Sequence, residues 1–175
     1  MSAAVEVNEL DADAYRAVIP ELAALIVDAV AGGAGVNFLD GVTLDEAAAW
    51  WQKRIDDVAD GTFTAFVARD AGAIVGSVLL MRSRNANSPH RAEIGKVLVL
   101  RSHRRRGIAR SLMEAAEARA GADGRWMLML DTVTGSEADA LYRALGWNEL
   151  GIMPNHGLLP DGTPAATTFF WKDLR

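Results

Sequence analysis

Two apolar periods alternate along the chain, one of 3.6 residues and one of two, and they divide it into helices and strands. Ala4 to Leu10 alternates weakly and reads as a first strand. From about Asp11 to Ala31, the residues Tyr15, Val18, Ile19, Leu22, Leu25, Ile26, Ala29 and Val30 recur at helical spacing. They predict one long helix with a single apolar face, ended by Gly32, Gly33 and Gly35. A loop, Val36 to Gly41, leads to a second helix from about Leu44 to Ala59, with Thr43 and Glu46 forming a capping box. Trp50 and Trp51 sit side by side in it. Adjacent helical residues point about 100° apart, so one tryptophan belongs to the core and the other is left partly exposed or lining a groove.

Thr62 to Asp70 and Ala73 to Met81 are apolar runs separated by Ala71-Gly72, which predicts a hairpin. After a polar loop comes a strand from Arg91 to Leu100, then a third helix from about Gly107 to Ala120 that buries Ile108, Ala109, Leu112, Met113, Ala116 and Ala120. Arg125 to Asp131 reads as a strand and Glu137 to Leu145 as a short helix. Trp147 to Met153 and Ala165 to Trp171 read as two final strands joined by a Pro- and Gly-rich loop, Pro154 to Pro164. No repeat, low-complexity tract or linker divides the chain. The expectation is one α+β domain over residues 1–175, with a mixed, mostly antiparallel twisted sheet of about seven strands flanked by about four helices.

Composition narrows the class. At 175 residues with half of them apolar, the chain can bury roughly 70% of its unfolded surface in its core without a disulfide or metal staple. Cysteine is absent, which removes disulfide frameworks, thiolate metal sites and a cysteine nucleophile together. His90, His103 and His156 lack metal-ligand spacing, so no metal is expected. A basic leader followed by an apolar stretch is missing, as is any run of membrane-spanning length, and a soluble, cytoplasmic protein without a membrane partner is expected. Net charge is −5, so the basic cluster over residues 101–110 is a local feature of an acidic protein. A nucleic-acid partner would call for a wider basic face interleaved with aromatic residues, and none is expected.

That basic cluster sits where chemistry is most legible. In VLVLRSHRRRGIARSLM, from Val97 to Met113, an apolar strand passes through a basic turn into an amphipathic helix. The first N–H groups of a helix lack intrahelical acceptors and its dipole places partial positive charge there, so such a junction holds phosphate. Gly107 lets a ligand approach the backbone, and Arg104, Arg105, Arg106 and Arg110 surround it with charge. Neither GxxxxGK followed by Ser or Thr nor GxGxxG occurs, which excludes the two commonest nucleotide loops.

Arg104-x-x-Gly107-x-Ala109, with Glu93 eleven residues before Arg104 and the segment Ala140-Leu141-Tyr142-Arg143-Ala144-Leu145-Gly146-Trp147 near the end, resembles the GCN5-related N-acetyltransferase (GNAT) superfamily. Leu130-Asp131-Thr132 and the tail from Gly151 to Lys172 are similar to its tabtoxin-resistance-like branch. The resemblance implies an acetyl-CoA-dependent acyltransferase that moves an acetyl group to the amine of a small molecule, toxin- and antibiotic-like compounds included. Arg101 stands where many members have proline, and Ala109 where glycine is commoner.

The resemblance implies donor contacts from Val97, Leu98 and Val99, from Arg104, Arg105, Arg106, Gly107, Ile108, Ala109, Arg110 and Ser111, and from Tyr142. In that comparison the pantetheine arm pairs with the strand backbone and an N–H of Val97 or Leu98 polarises the thioester. Transfer to an amine requires a neutral nucleophile, and an alkylammonium with a pKa near 10 needs a base. Glu93 matches the family base, and in a regular strand residues 93, 97 and 99 share a face. Gly95 complicates that regularity, since a glycine inside a strand often marks a bulge, and the resemblance implies such a distortion near here that opens a gap for the pantetheine arm. Asp131, at the end of a neighbouring strand, and a water chain compete for the role, while an ion pair with Arg91 or Lys96 is the structural alternative for Glu93. Tyr142 matches the family's general acid, or else packs in the core. The acceptor is expected among Asn37, Phe38, Trp50, Trp51, Glu93, Asp131 and His156.

Two other functions fit the same letters: a non-catalytic acyl-CoA sensor or interaction module, and a protein N-acetyltransferase. The acceptor, the acyl length and the oligomeric state stay open, with a homodimer through the edge of the final strand as one possibility.

Overall fold

A computed structural model describes residues 5–175. Ala4, at the head of the expected first strand, lies outside the described residues. Strand β1 (Glu6–Leu10) is followed by four helices, α1 (Ala12–Ala17), α2 (Ile19–Ala31), α3 (Leu44–Gln52) and α4 (Ile55–Ala59). Then come β2 (Phe63–Asp70), β3 (Ala73–Arg82), β4 (Arg91–Val99), α5 (Ile108–Ala122), β5 (Met127–Val133), α6 (Glu137–Ala144), β6 (Asn148–Leu158) and β7 (Pro164–Asp173).

The seven strands form one sheet in the order β1-β2-β3-β4-β5-β7-β6. Every neighbouring pair is antiparallel except β4 and β5. This is the mixed, mostly antiparallel α+β architecture read from the sequence. Strict alternation sorts the side chains: Ala65 and Val67 of β2 enter a core with Tyr15, Leu22, Leu25, Ile26 and Trp51 from α1–α3, whereas Phe66 and Ala68 enter a second core with Leu112, Met113 and Ala116 of α5. Burying each large apolar side chain contributes about 1.5–3 kcal/mol.

Four sequence expectations change. The long first helix is broken at Val18, because Pro20 lies in the first turn of α2 and cannot continue a preceding helix. The second helix divides at Lys53 and Arg54, so among the described residues six α-helices stand where about four were expected. Its capping box forms, with the Thr43 N–H donating to Glu46 Oε2 at 2.8 Å and the Glu46 N–H to Thr43 Oγ1 at 3.2 Å. Third, the first part of the segment read as a loop from Pro154 is strand: β6 runs on to Leu158 through an irregularity between Met153 and Gly157. The final strand has no open edge, since β7 lies between β5 and β6. The edge belongs to β6, which exposes Leu150, Ile152, Met153 and Leu158.

Helix α5 lies close on the sheet because Gly76 of β3 has no side chain. A Cβ there would stand 2.9 Å from the Leu98 carbonyl oxygen, 3.1 Å from Leu112 and 3.3 Å from Ile108. Gly76→Ala should therefore destabilise the fold by about 1–3 kcal/mol, read as a lower midpoint in urea unfolding at unchanged slope; a midpoint equal to wild type would show that α5 yields freely.

Candidate active site

Strands β4 and β5 pair over only three positions, Arg91 with Met127, Ala92 with Leu128 and Glu93 with Met129. Beyond Glu93 they part, while β5 stays zipped to β7 as far as Val133. The cause lies in β4. Opposite β3, Leu79 faces Gly95 and Ser77 faces Leu98, so two residues, Lys96 and Val97, stand across from Val78 alone. This is a β-bulge, which bends the strand that carries it. Lys96 takes a left-handed φ of 51°, and the Ser77 hydroxyl donates to its carbonyl at 3.0 Å. The opened wedge leaves the β5-facing backbone of the second half of β4 without a strand partner, at one side of a cavity of about 1230 Å³.

The bulge also reverses the alternation. Glu93 pairs with Met81 on the α2–α3 side, but Val97 and Val99 pack against the α5 core, so residues 93, 97 and 99 do not share a face as a regular strand would require. Lys96, which a regular strand would turn away from Glu93, comes to line the same cavity with it.

At the other end of β4 a turn of 3-10 helix, Arg101–His103, leads into α5. Arg105 and Gly107 are both left-handed, at φ 62° and 79°. Gly107 is the N-cap of α5, yet no side chain caps that end, and a Cβ at Gly107 would meet nothing within 4 Å. The Ser111 N–H is received by the Gly107 carbonyl at 3.1 Å, which leaves the N–H groups of Ile108, Ala109 and Arg110 without intrahelical acceptors. Open backbone, uncapped N–H groups and a helix dipole suit a phosphate-bearing ligand.

Glu93 and Asp131 flank the mouth of the wedge, one as the last paired residue of β4 and the other two residues beyond the last paired position of β5. Both carboxyls are held above their ordinary range. Partial withdrawal from solvent is the main cause at each. The Asp131 charge raises Glu93 further, against the opposing pull of Arg91 and Lys96; His156 and Lys96 pull Asp131 down. Among the described residues no ion pair closes on Glu93 within 4.0 Å, so the structural pairing with Arg91 or Lys96 does not form. Tyr142, on α6, is buried between Trp147 and Phe170 with ring centroids 6.3 and 5.9 Å away, and it still lines the cavity. Burial, with Asp131 second, raises its phenol well above the usual value, so it holds its proton through neutral pH.

The cavity gathers Glu93, Asp131, Tyr142, Val97, Leu98 and Val99 with Arg104, Arg105, Gly107, Ile108, Ala109 and Arg110. Asn37, Phe38, Trp50 and His156 line it as well. Three expected residues fall elsewhere. Trp51 is fully buried in the core, where its carbonyl accepts the Tyr15 hydroxyl at 2.9 Å. Arg106 turns outward to Asp70, 2.9 Å away, and the Ser111 hydroxyl folds back onto the Gly107 carbonyl at 3.4 Å. Lys96 and Met81 line the cavity and were not singled out as ligand contacts in the sequence. For Lys96 the signal, a bulge that changes face, requires the strand pairing to be seen.

A profile of the acetyltransferase (GNAT) family matches residues 22–147. Among solved structures, an N-acetyltransferase from Staphylococcus aureus Mu50 superposes with a TM-score of 0.80 at 20% identity, covering 99% of this chain and 100% of that one. A ribosomal-protein-alanine N-acetyltransferase from Brucella melitensis gives 0.77 at 25% identity, over 97% and 99% of the two chains. A Salmonella typhimurium protein solved with its cofactor acetyl-CoA gives 0.77 at 20%, over 98% and 95%.

The two carboxyls at the wedge predict coupled titration. In a carbon-detected NMR titration, Glu93 should lose its proton above the ordinary glutamate range, and Asp131→Asn should move that midpoint down by removing a like charge. A Glu93 midpoint indifferent to Asp131 would show that the two groups do not share a field.

Proposed function

The chain belongs to the acetyltransferase (GNAT) family as an acetyl-CoA-dependent N-acetyltransferase, and on that premise we propose that it acetylates the amine of a small molecule by direct transfer. The observation that carries this reading is that two raised carboxyls, a protonated phenol and an uncapped helix N-terminus line one cavity. The small acceptor rests on the resemblance of Leu130-Asp131-Thr132 and the tail from Gly151 to Lys172 to the tabtoxin-resistance-like branch, which implies one.

Acetyl-CoA supplies an activated acetyl thioester. The N–H groups of Ile108, Ala109 and Arg110, with Arg104, Arg105 and the open backbone at Gly107, hold its phosphates. The unpaired edge of β4 at Val97 to Val99 holds the extended arm, and an N–H there polarises the carbonyl. Glu93 takes the proton from the incoming ammonium, directly or through water, and its raised pKa brings it nearer to that task at neutral pH. Asp131 tunes Glu93 and binds the amine. As the C–N bond forms and the C–S bond breaks, Tyr142 donates its proton to the departing sulfur, the second proton shed by the acylated nitrogen restores the phenol through water, and Glu93 releases its own to solvent.

Glu93→Gln should lower kcat by about 10²-fold while leaving acetyl-CoA affinity within about twofold. In the wild type, kcat/KM should fall as pH drops through the raised carboxyl pKa, and this acid limb should vanish in Glu93→Gln; an unchanged rate in the variant would give the base to Asp131 or water. Gly107→Asp, which adds like charge and a strained left-handed side chain, should weaken acetyl-CoA binding at least tenfold by calorimetry, on the order expected for losing one charge-assisted contact. Tight binding in that variant would remove the phosphate assignment. A second acceptor class is favoured by the 25% likeness to a ribosomal-protein-alanine N-acetyltransferase; transfer to alanine-initiated peptides in place of small amines would establish it.

A further inference from the structure

Lys96 is a charge in the cavity that the reaction above leaves unused. The bulge turns it onto the Glu93 face of β4, where it is half-buried and lines the cavity. Its ammonium donates to the Val36 carbonyl at 3.3 Å and lies 4.4 Å from the centroid of the Trp50 ring. Among the described residues no carboxylate comes within 4.0 Å of it. An ammonium has three donors, and one long hydrogen bond with one ring face leaves it under-satisfied. Trp50 is already engaged by a second cation, since the Arg54 guanidinium lies 3.4 Å from its ring centroid and donates to its carbonyl at 2.6 Å. Withdrawal from solvent and repulsion by Arg54 lower Lys96 to about 8, with Asp131 and Glu93 pulling the other way. A desolvated cation without an ion-pair partner, facing a ligand cavity, is stabilised by an anion brought by the ligand.

We infer that Lys96 anchors an anionic group of the acceptor, so that the substrate is a carboxylate-bearing amine of the amino-acid type rather than a simple amine or a polycation. The inference rests on the reading of the site as an acetyl-CoA-dependent amine acetyltransferase and names its acceptor class. Opposite charges line this part of the cavity, carboxylates at Glu93 and Asp131 and the cation at Lys96, and a zwitterion matches both ends. Phe38, Met81 and the exposed part of Trp50 offer its side chain an apolar wall. A diamine would set its second charge against Lys96 and Arg54.

The test is steady-state kinetics with a panel of L-amino acids, their matched amides, and cadaverine. Amides carry the less basic amine and would win on nucleophile availability alone, so a preference for the acid reports recognition of its charge. The wild type should favour the acids by about tenfold or more in kcat/KM, the range set by a charge-assisted contact. Lys96→Met should raise KM for the acids far more than for the amides, so that the preference disappears, while any change in kcat from the altered field at Glu93 falls on acids and amides alike. Lys96→Gln is the second variant should the first melt early. Equal or better use of amides or cadaverine by the wild type overturns the assignment, as does an equal loss for acids and amides in the variants. If nothing in the panel is acetylated while calorimetry shows acetyl-CoA bound, the anionic acceptor is overturned and the donor reading stands. Failure to bind acetyl-CoA overturns both.

Discussion

One extra residue in β4 organises the site. Because Lys96 and Val97 share the space opposite Val78, the strand bends after Glu93 and releases β5, and the sheet opens where a continuous ladder would leave no room. A parallel pair broken after three positions exposes backbone donors and acceptors that hydrogen bonding must satisfy, and an extended ligand arm can satisfy them as a strand would. The same bulge changes which side chains face the opening. It draws Lys96 toward Glu93 and sends Val97 and Val99 into the α5 core.

The opening is supported by packing on both sheet faces. On one, Trp51 and Tyr15 are buried completely and set α3 beside α2, which leaves the neighbouring Trp50 on the cavity wall with Arg54 and Lys96 against it. On the other, the missing side chain of Gly76 brings Ile108 and Leu112 of α5 onto the sheet and so aims the uncapped end of that helix at the wedge. The ligand-facing groups therefore sit on elements whose opposite sides are core. Such placement holds a site with little dependence on loop order.

Charge within the wedge is balanced rather than paired. Glu93 and Asp131 are raised by partial withdrawal from solvent, Glu93 also by its neighbour, and both are restrained by Lys96. Lys96 itself is lowered by burial and by Arg54. Closed ion pairs would cancel these charges and tie the side chains down. At longer range the groups remain available to a substrate, and the low dielectric strengthens what it meets.

The amino-acid sequence by itself determined the seven strands, the hairpin at Ala71-Gly72, the basic turn into α5 with Gly107 at its cap, and the family, because each depends on a local period, a local cap or a contiguous motif. Glu93, Asp131 and Tyr142 were legible as candidates for the same reason, and they do line one cavity. Only the tertiary structure decided which tryptophan reached the cavity, that Arg106 and Ser111 turned away from it, and that β6 rather than β7 forms the sheet edge. It alone decided the face of Lys96. Side-chain direction in a strand is a parity counted along the pairing, and a single inserted residue inverts it; the letters suggested a bulge at Gly95, but only the partner strand shows where the count changes.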